Sequence, residues 1–423
     1  MRPEARQSAT AAARVDAAAT RTRGRIIGLD GARGLSCLGV AVAHVAGHYS
    51  PATAATTKVG LVGLSLVFFY VLSGFLLFLP YVRNLTEARS AAVLPSSSNF
   101  ALHRIARILP GYLVIFLLVN FVLQVAYIEN PVYQPPASEA GTGMITDPWQ
   151  LLANLTLVQT YLPQYMQTGL NPSWSLTLEY AFYIVLPLLA ILLFKMRQRT
   201  DVRPFNIALI GAFALVAVAV VGRAFVPLVN AATGITSPAL LEWGDNWAAV
   251  FSRSLLTNAD NFAVGMLAAI LVVAMEQDVV KEAVSRRVRL YSSLALFPLL
   301  ALAGVLATMR SPYATSALGV LFAMVILVIV APLARGEDSA IARWLDLPPV
   351  LYVGKVSLSA YLWHFPIMLT LGRWDVLAGD TLAGMTYNVV VVLAATMLIS
   401  TVTYYLVEKP VMNVARRYRR RWA

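Results

Sequence analysis

The stretch GARGLSCLGVAVAHVAGHYS, residues 31–50, combines small and aliphatic residues with three ionisable side chains, Arg33, His44 and His48. Such a composition predicts a helix in apolar surroundings. Arg33 and His44 lie eleven positions apart, which at 100° per residue is three full turns plus about 20°. Cys37 and His48 fall within about 60° of Arg33, so the four side chains form one stripe. Because ionisable groups on so apolar a helix are costly unless they face a partner or a wet cavity, the stripe is predicted to face inward.

The rest of the chain is equally apolar. Of 423 residues, 58% are hydrophobic and only 13% are charged, which is unusual for a soluble protein. A hydrocarbon core of about 30 Å requires about 20 mostly apolar residues per helix. The sequence therefore predicts an all-α, polytopic integral membrane protein with about ten transmembrane helices. These are placed at 29–49, 59–82, 105–127, 173–194, 205–229, 248–275, 290–309, 314–334, 350–371 and 386–407.

The distribution of basic residues predicts the orientation, because loops rich in Lys and Arg stay in the cytoplasm. Residues 128–172 and 230–247 contain neither Lys nor Arg, whereas the two ends of the chain are rich in Arg. Both termini are therefore predicted to be cytoplasmic, residues 1–24 as a disordered tail and 413–423 as a basic tail. The net charge of +12 is interpreted as attraction to anionic membrane lipids, rather than to nucleic acid.

Other ionisable groups fall into two sets according to their predicted depth. Arg104 and Arg107 lie near the cytoplasmic side, whereas Glu179 and His364 lie in the outer half of their helices. Arginine side chains suit phosphates. A histidine with a carboxylate suits proton abstraction, because the ordinary pKa of histidine is close to neutral. The two sets together indicate a phosphate-bearing substrate on the inner side and acid–base chemistry further out.

Six segments resemble the membrane acyltransferase type three family. GLDGARGLSCLGVAVAH resembles its first-helix signature, Arg followed by ten residues and His, here Arg33 and His44. HRIARILPGY resembles its arginine-x-x-arginine element at Arg104 and Arg107. FFYVLSGFLL, PSWSLTLEYAFYIVLP, GKVSLSAYLWHFPI and TYYLVEKP resemble further family segments in the same order. Residues 25–412 are therefore interpreted as one acyltransferase-3-like transmembrane domain.

The resemblance implies transfer of an acyl group, acetyl before other short chains, from cytoplasmic acyl-CoA to a hydroxyl group. The implied acceptor is an extracytoplasmic glycan, glycolipid or other small molecule, and the implied location is a bacterial plasma membrane. Acyl-CoA is then a donor substrate, and neither a bound cofactor nor a metal is implied.

The resemblance also implies roles for individual residues. The implied donor-binding residues are Arg33, Arg104 and Arg107. His44 is implied as the general base, with Glu179 or His364 orienting it or relaying the proton. The family often has two adjacent carboxylates at the fourth helix, whereas Glu179 is followed here by Tyr180.

Several alternatives stay open at this point. Cys37 could carry an acyl group, although small buried cysteines usually only pack. Asp260 could pair with Arg253 or line the acceptor side. The alternative function is a transporter or exporter of an envelope lipid or small metabolite, although the chain lacks paired helices interrupted by Gly or Pro. Membrane lipids are expected partners, and assembly into a homo-oligomer is left open.

Overall fold

The computed structural model describes residues 25–135 and 138–422, with side chains as far as residue 417. The predicted tail at residues 1–24 lies outside these residues. The described chain is mostly helical. Its α-helices are α1 Leu29–Tyr49, α2 Pro51–Thr57, α3 Leu66–Thr86, α4 Ser97–Leu117, α5 Pro148–Leu155, α6 Trp174–Arg199, α7 Pro204–Thr233, α8 Pro238–Trp243, α9 Trp247–Ser252, α10 Leu255–Glu276, α11 Glu282–Thr308, α12 Ala314–Ala334, α13 Ala340–Leu345, α14 Pro348–Arg373, α15 Leu382–Thr403 and α16 Lys409–Trp422.

Shorter elements connect these helices. Two antiparallel strands, β1 Ala126–Tyr127 and β2 Thr142–Gly143, form a small hairpin in the long connection between α4 and α6. The 3-10 turns are Val59–Ser65, Pro131–Tyr133, Gln159–Tyr161, Pro163–Tyr165 and Asn171–Ser173, and the π-helical turns are Leu118–Leu123 and Tyr404–Glu408.

Helices long and apolar enough to cross a membrane account for most of the described chain. They are Val59–Thr86, Ser97–Leu123, Asn171–Arg199, Pro204–Thr233, Trp247–Glu276, Glu282–Thr308, Ala314–Ala334 and Leu382–Arg417. The protein is therefore an all-α polytopic membrane protein, and eight of the ten predicted spans meet this test of length and composition.

The remaining two predicted spans, at 29–49 and 350–371, correspond to α1 and α14. These helices have 21 and 26 residues, so they are about 31 and 39 Å long, which is sufficient to cross the hydrocarbon core. Their polar and ionisable side chains lower their hydropathy, and α14 is buried along most of its length from Gly354 to Thr370. The count of ten crossings stays a prediction.

One predicted helix is interrupted. The sequence predicts a single helix over 248–275, but α9 ends at Ser252 and α10 begins at Leu255. At this break the guanidinium of Arg253 stacks on Trp243, 3.4 Å from the ring centroid, and forms an ion pair with Glu242 at 3.0 Å. Hydropathy alone does not detect this interruption, because both pieces are apolar.

The candidate site lies where two apolar cores meet. The larger core is built from α3, α6, α7, α10 and α12, with α10 packed between its neighbours. The second contains α4, the C-terminal half of α14 and parts of the connection at 125–170. Helix α1 contributes Leu29 and Ala32 to the larger core and Cys37, Val40 and Val45 to the second one. It therefore lies along the seam.

Glycines allow α1 to contact α14 backbone to backbone. A Cβ atom at Gly34 would lie 2.6 Å from the backbone nitrogen of Gly354, and one at Gly354 would lie 2.1 Å from the carbonyl oxygen of Asp30. Any larger side chain would separate the two helices. This close approach brings the ionisable stripe of α1 against α14, which carries His364.

Candidate active site

Two histidines from distant parts of the sequence form a hydrogen-bonded pair. Nδ1 of His44 on α1 lies 2.8 Å from Nε2 of His364 on α14, and the two ring planes differ by 8°. The ring of Phe365 meets the His44 ring edge-on, with 5.2 Å between the centroids. His364 is 0% exposed, whereas His44 is only partly buried. His44 is thus the member of the pair that keeps exposed surface.

The contact between the rings limits which nitrogen can act as a base. A hydrogen bond between two neutral imidazoles needs one N–H donor and one nitrogen lone pair. If Nδ1 of His44 is the donor, its Nε2 keeps a free lone pair. In the opposite assignment the free lone pair lies on Nδ1 of His364, an atom that is buried. A basic nitrogen accessible to substrate therefore requires His44 to donate to His364.

Three arginines line a cavity on the side of the bundle where α1, α4 and α14 begin. The cavity has a volume of about 120 Å³, and its wall includes Arg33, Arg104, Arg107 and Glu179. Apolar and hydroxyl side chains complete the wall, and they include Leu66, Phe69, Tyr70, Leu72, Ser73, Leu76, Leu77, Ile108, Ser175, Leu176, Tyr183, Ser357, Leu358 and Tyr361. Three positive charges in a space this small suit a phosphate-bearing ligand.

Arg33 is held inside the bundle. Its Nε donates to the hydroxyl of Ser357 at 3.1 Å and its Nη2 donates to the carbonyl of Gly354 at 2.8 Å. The same Nη2 lies 2.9 Å from a carboxylate oxygen of Asp30, and the side chain is 21% exposed. These contacts fix the guanidinium at the cavity wall, so Arg33 does not extend to the lipid headgroups.

Arg104 and Arg107 are one turn apart on α4. Arg107 contacts the sulfur of Met412 at 3.4 Å and lies 3.9 Å from a carboxylate oxygen of Glu408. Nε of Arg104 is buried and has no hydrogen-bond partner among the described residues. The guanidinium of Arg104 therefore has N–H capacity that a ligand in the cavity could use.

Glu179 lies at the cavity wall, away from direct contact with the histidines. Its two carboxylate oxygens accept hydrogen bonds from Ser73 at 3.2 Å and from Tyr183 at 2.8 Å. The sequence predicts Glu179 as a residue that orients the base, and the hydrogen bonds found here connect it instead to α3 and to its own helix. Its position among the arginines indicates an electrostatic role within the cavity.

Tyr361 lies between the cavity and the histidine pair. Its hydroxyl is 2.7 Å from the hydroxyl of Ser175 and donates to the carbonyl of Pro172 at 3.0 Å. Its ring lines the cavity and lies 5.8 Å from the ring of His364, centroid to centroid. Tyr361 thus connects the wall of the cavity with the histidine pair. The sequence analysis did not single out this residue, although it stands only three positions before His364.

Comparison with known proteins identifies the family. A family model described as an acyltransferase domain matches residues 26–405.

The chain belongs to this acyltransferase family.

Two curated relatives extend the comparison. O-acetyltransferase OatA of Staphylococcus aureus (strain NCTC 8325 / PS 47) is 22% identical over 389 residues, which is 91% of this chain and 57% of the relative. Acyltransferase MdmB of Streptomyces mycarofaciens is 31% identical over 173 residues, or 39% of each chain. The chain therefore spans little more than half the length of the staphylococcal relative. No solved structure matches it.

Cys37 packs in the second apolar core. Its side chain is 1% exposed, and its sulfur lies 3.3 Å from the backbone carbonyl of Ser357. Cys37 is absent from the residues that line the cavity. These contacts favour the packing interpretation of this residue over an acyl-carrying one.

Asp260 pairs with a partner that the sequence analysis did not consider. Two oxygens of Asp260 lie 2.6 and 2.8 Å from the guanidinium of Arg223 on α7, and both residues are buried. Arg223 also donates to Ser316 at 2.6 Å and to Thr315 at 3.3 Å. The expected pair with Arg253 is not found, and a role of Asp260 on the acceptor side stays a prediction. The pair and its hydroxyl partners join α7, α10 and α12.

Proposed function

We propose that the protein is a membrane O-acyltransferase that uses acyl-CoA. It transfers an acetyl or other short acyl group from the cytoplasmic side to a hydroxyl of an extracytoplasmic glycan, glycolipid or other small acceptor. The single observation that carries this proposal is the histidine pair beside a cavity lined by three arginines. The printed names of the relatives, an O-acetyltransferase and an acyltransferase, support the same class of reaction.

In this proposal the arginines bind the donor. Arg33, Arg104 and Arg107 converge on one small cavity. Guanidinium groups form bidentate, charge-assisted hydrogen bonds with phosphate oxygens, which suits the phosphates of coenzyme A. The positive-inside rule places the basic loops, and with them both termini, on the cytoplasmic side of a bacterial plasma membrane, where acyl-CoA is available.

The proposed chemistry is a direct acyl transfer in which His44 is the general base. Nε2 of His44 takes the proton of the acceptor hydroxyl while that oxygen forms a bond to the thioester carbonyl carbon. The carbon–sulfur bond then breaks, and the proton passes from His44 to the departing thiolate of coenzyme A. His364 keeps the His44 ring in the required orientation through the bond to Nδ1. Atoms and protons balance with the acyl ester and free coenzyme A as products.

Glu179 stabilises charge in the cavity in this proposal. Its carboxylate is held by Ser73 and Tyr183 in the same cavity as the three arginines. It therefore offsets part of their mutual repulsion when the donor is absent. This role differs from direct orientation of His44, for which a hydrogen bond between the two side chains would be needed.

The decisive experiment compares the lipids and glycans of host cells by mass spectrometry. Cells lacking the gene are complemented with the wild-type gene, with His44→Ala or with Arg107→Ala. The matched control is Arg286→Ala, which removes an exposed arginine whose ion pair lies within α11. We expect deletion to remove one defined acyl mass, and only the wild type and the control to restore it.

Other outcomes would overturn the proposal. If deletion changes no acyl mass, the protein does not acylate an envelope molecule, and uptake and export assays would test the transporter alternative. If well-expressed His44→Ala restores the acyl mass fully, His44 is not the base. Release of free thiol from acetyl-CoA by purified protein gives an independent readout of donor use.

A further inference from the structure

A π-helical turn interrupts the last membrane helix beside the arginine cavity. It spans Tyr404–Glu408, between α15 and α16. In regular α-helix, residues five positions apart differ in direction by about 140°. In a π-turn the hydrogen bonds run from i to i+5, so residues five apart come close to one face, and such turns are frequent at functional sites.

The π-turn directs the side chains of Thr403 and Glu408 toward α14. Nε1 of Trp363 on α14 donates to the hydroxyl of Thr403 at 2.9 Å. One helical turn earlier on α14, the hydroxyl of Ser359 donates to a carboxylate oxygen of Glu408. Thr403 and Glu408 are five positions apart, so a continuous α-helix would direct Glu408 away from α14. The π-turn therefore places this carboxylate inside the bundle.

Glu408 is buried against the helix that carries the cavity arginines. Its exposure is 0%, and its second carboxylate oxygen, Oε2, has no hydrogen-bond partner among the described residues. Gly111 on α4 leaves room for the Glu408 side chain, because a Cβ atom at this position would approach Glu408 to 3.2 Å. A buried carboxylate requires a nearby positive charge. Nη1 of Arg107, 3.9 Å from Oε2, supplies that charge.

The ion pair between Glu408 and Arg107 is longer than a hydrogen bond. At 3.9 Å the two groups attract one another but do not form a hydrogen bond. Charge neutralisation therefore uses none of the guanidinium N–H groups of Arg107. Arg33 and Arg107 also interact electrostatically with one another and with Glu408. The carboxylate stabilises two neighbouring cations without occupying an N–H group of Arg107, and apart from the contact of Nη1 with the sulfur of Met412 these N–H groups remain available to a ligand.

We propose that Glu408 is a positioning residue for the phosphate-bearing donor. It holds Arg107 at the cavity wall by charge and without a hydrogen bond, so that the N–H groups of Arg107 that do not contact Met412 stay free for the phosphates. Glu408 does not line the cavity and has no direct contact with the donor in this proposal. The inference rests on the proposed function, because it assumes that the cavity accepts the phosphates of coenzyme A.

The first test measures binding of free coenzyme A by calorimetry, which does not depend on turnover. Glu408→Gln removes the charge and keeps the size and the acceptor for Ser359. We expect Kd to rise by about tenfold, within the range for coupled charged neighbours. The KM for acetyl-CoA should rise in parallel, while kcat stays near the wild-type value. The matched control is Glu276→Gln, which breaks the ion pair with Arg83 outside the cavity.

A double-mutant cycle identifies the route of the effect. If Glu408 acts through Arg107, Glu408→Gln should have little further effect on Kd in an Arg107→Gln background. An equal effect in both backgrounds would overturn the positioning role, as would an unchanged Kd in the single variant. Thermal unfolding followed by tryptophan fluorescence verifies that each variant is folded. If Glu408→Gln does not fold, Ser359→Ala frees the same carboxylate from its anchor and should also weaken binding.

The same measurements separate this inference from the proposed function. Wild-type protein that binds no coenzyme A would overturn the donor assignment and the Glu408 role together. Wild-type binding with no response to Glu408→Gln would overturn only the Glu408 role.

Discussion

The two histidines of the pair should differ sharply in their effect on turnover. A positioned general base contributes about 10²- to 10⁴-fold to the rate, so His44→Ala should lower kcat by that factor. His364 contributes one hydrogen bond of 2.8 Å between neutral rings. Such a bond is worth about 0.5–1.5 kcal/mol, and about 1.36 kcal/mol corresponds to a factor of ten in rate. His364→Ala should therefore lower kcat by only about 2- to 13-fold.

A conservative variant tests whether the hydrogen bond accounts for the His364 effect. The amide oxygen of glutamine is an acceptor and can occupy a position similar to Nε2 of His364, so His364→Gln should recover most of the lost rate. The matched control is His48→Ala. His48 lies one turn beyond His44 on α1, and its ring also packs near Phe365, with 6.1 Å between the centroids. Its loss should change kcat less than either member of the pair.

The assay follows release of free thiol from acetyl-CoA by purified protein in nanodiscs, with the acceptor identified in the host comparison held at saturation. Both substrates are varied for each variant, so that kcat and KM are obtained separately. A loss for His364→Ala as large as that for His44→Ala would refute the division of roles. A loss of less than 13-fold for folded His44→Ala would remove His44 as the base.

Three further predictions concern stability. Asp260→Asn leaves Arg223 buried without its counter-charge, and should lower the free energy of unfolding by about 3–5 kcal/mol, seen as a fall in Tm in detergent; an unchanged Tm would contradict this. Gly74→Ala places a Cβ 2.0 Å from a backbone carbonyl oxygen of α10. This overpacking should lower the free energy of unfolding by about 1–3 kcal/mol in the same assay. Gly304→Ala is the control, because its Cβ meets open space. Hydrogen bonds from Thr53 and the start of α2 lower the pKa of Asp380. The ionised carboxylate therefore stabilises α2 above the ordinary pKa of aspartate, and this stabilisation is lost as the pH falls through the lowered pKa. Hydrogen-exchange protection of α2 should fall over the same pH range, and Asp380→Asn should abolish this pH dependence.

The sequence predicts the stripe of α1 well because it depends only on helix geometry. Arg33, Cys37 and His44 all contact α14 in the structure, as a single face of one helix must if it packs against one neighbour. The long apolar segments likewise predict most of the membrane helices, since apolar length is what the bilayer requires. Properties local to one helix are thus accessible without a structure.

Contacts between helices that are distant in the sequence were harder to predict from the sequence. Asp260 pairs with Arg223, not with Arg253, because helix packing brings α7 beside α10 while the chain breaks before Leu255 and turns Arg253 toward Trp243. Nothing in the spacing along one chain specifies which helix lies opposite. For the same reason, the sequence does not reveal that Tyr361 lines the cavity.

The π-turn at Tyr404–Glu408 makes the direction of the Glu408 side chain hard to predict from the sequence. Counting at 100° per residue across 404–408 assigns Glu408 to the wrong face, since the π-turn holds one extra residue. A search by regular helical periodicity therefore misses this carboxylate.

The pairing of α1 with α14 has a consequence for biosynthesis. His44 and His364 are 320 residues apart, and at about 5–20 residues per second the ribosome takes about 16–64 s to make the chain between them. Throughout that interval the first helix carries Arg33 and His44 without its final partner. Some other surface, of the insertion machinery or of the helices made next, must shelter these groups during synthesis. A nascent chain released before α14 emerges lacks one half of the histidine pair, so the hydrogen bond between His44 and His364 can form only once α14 has been made.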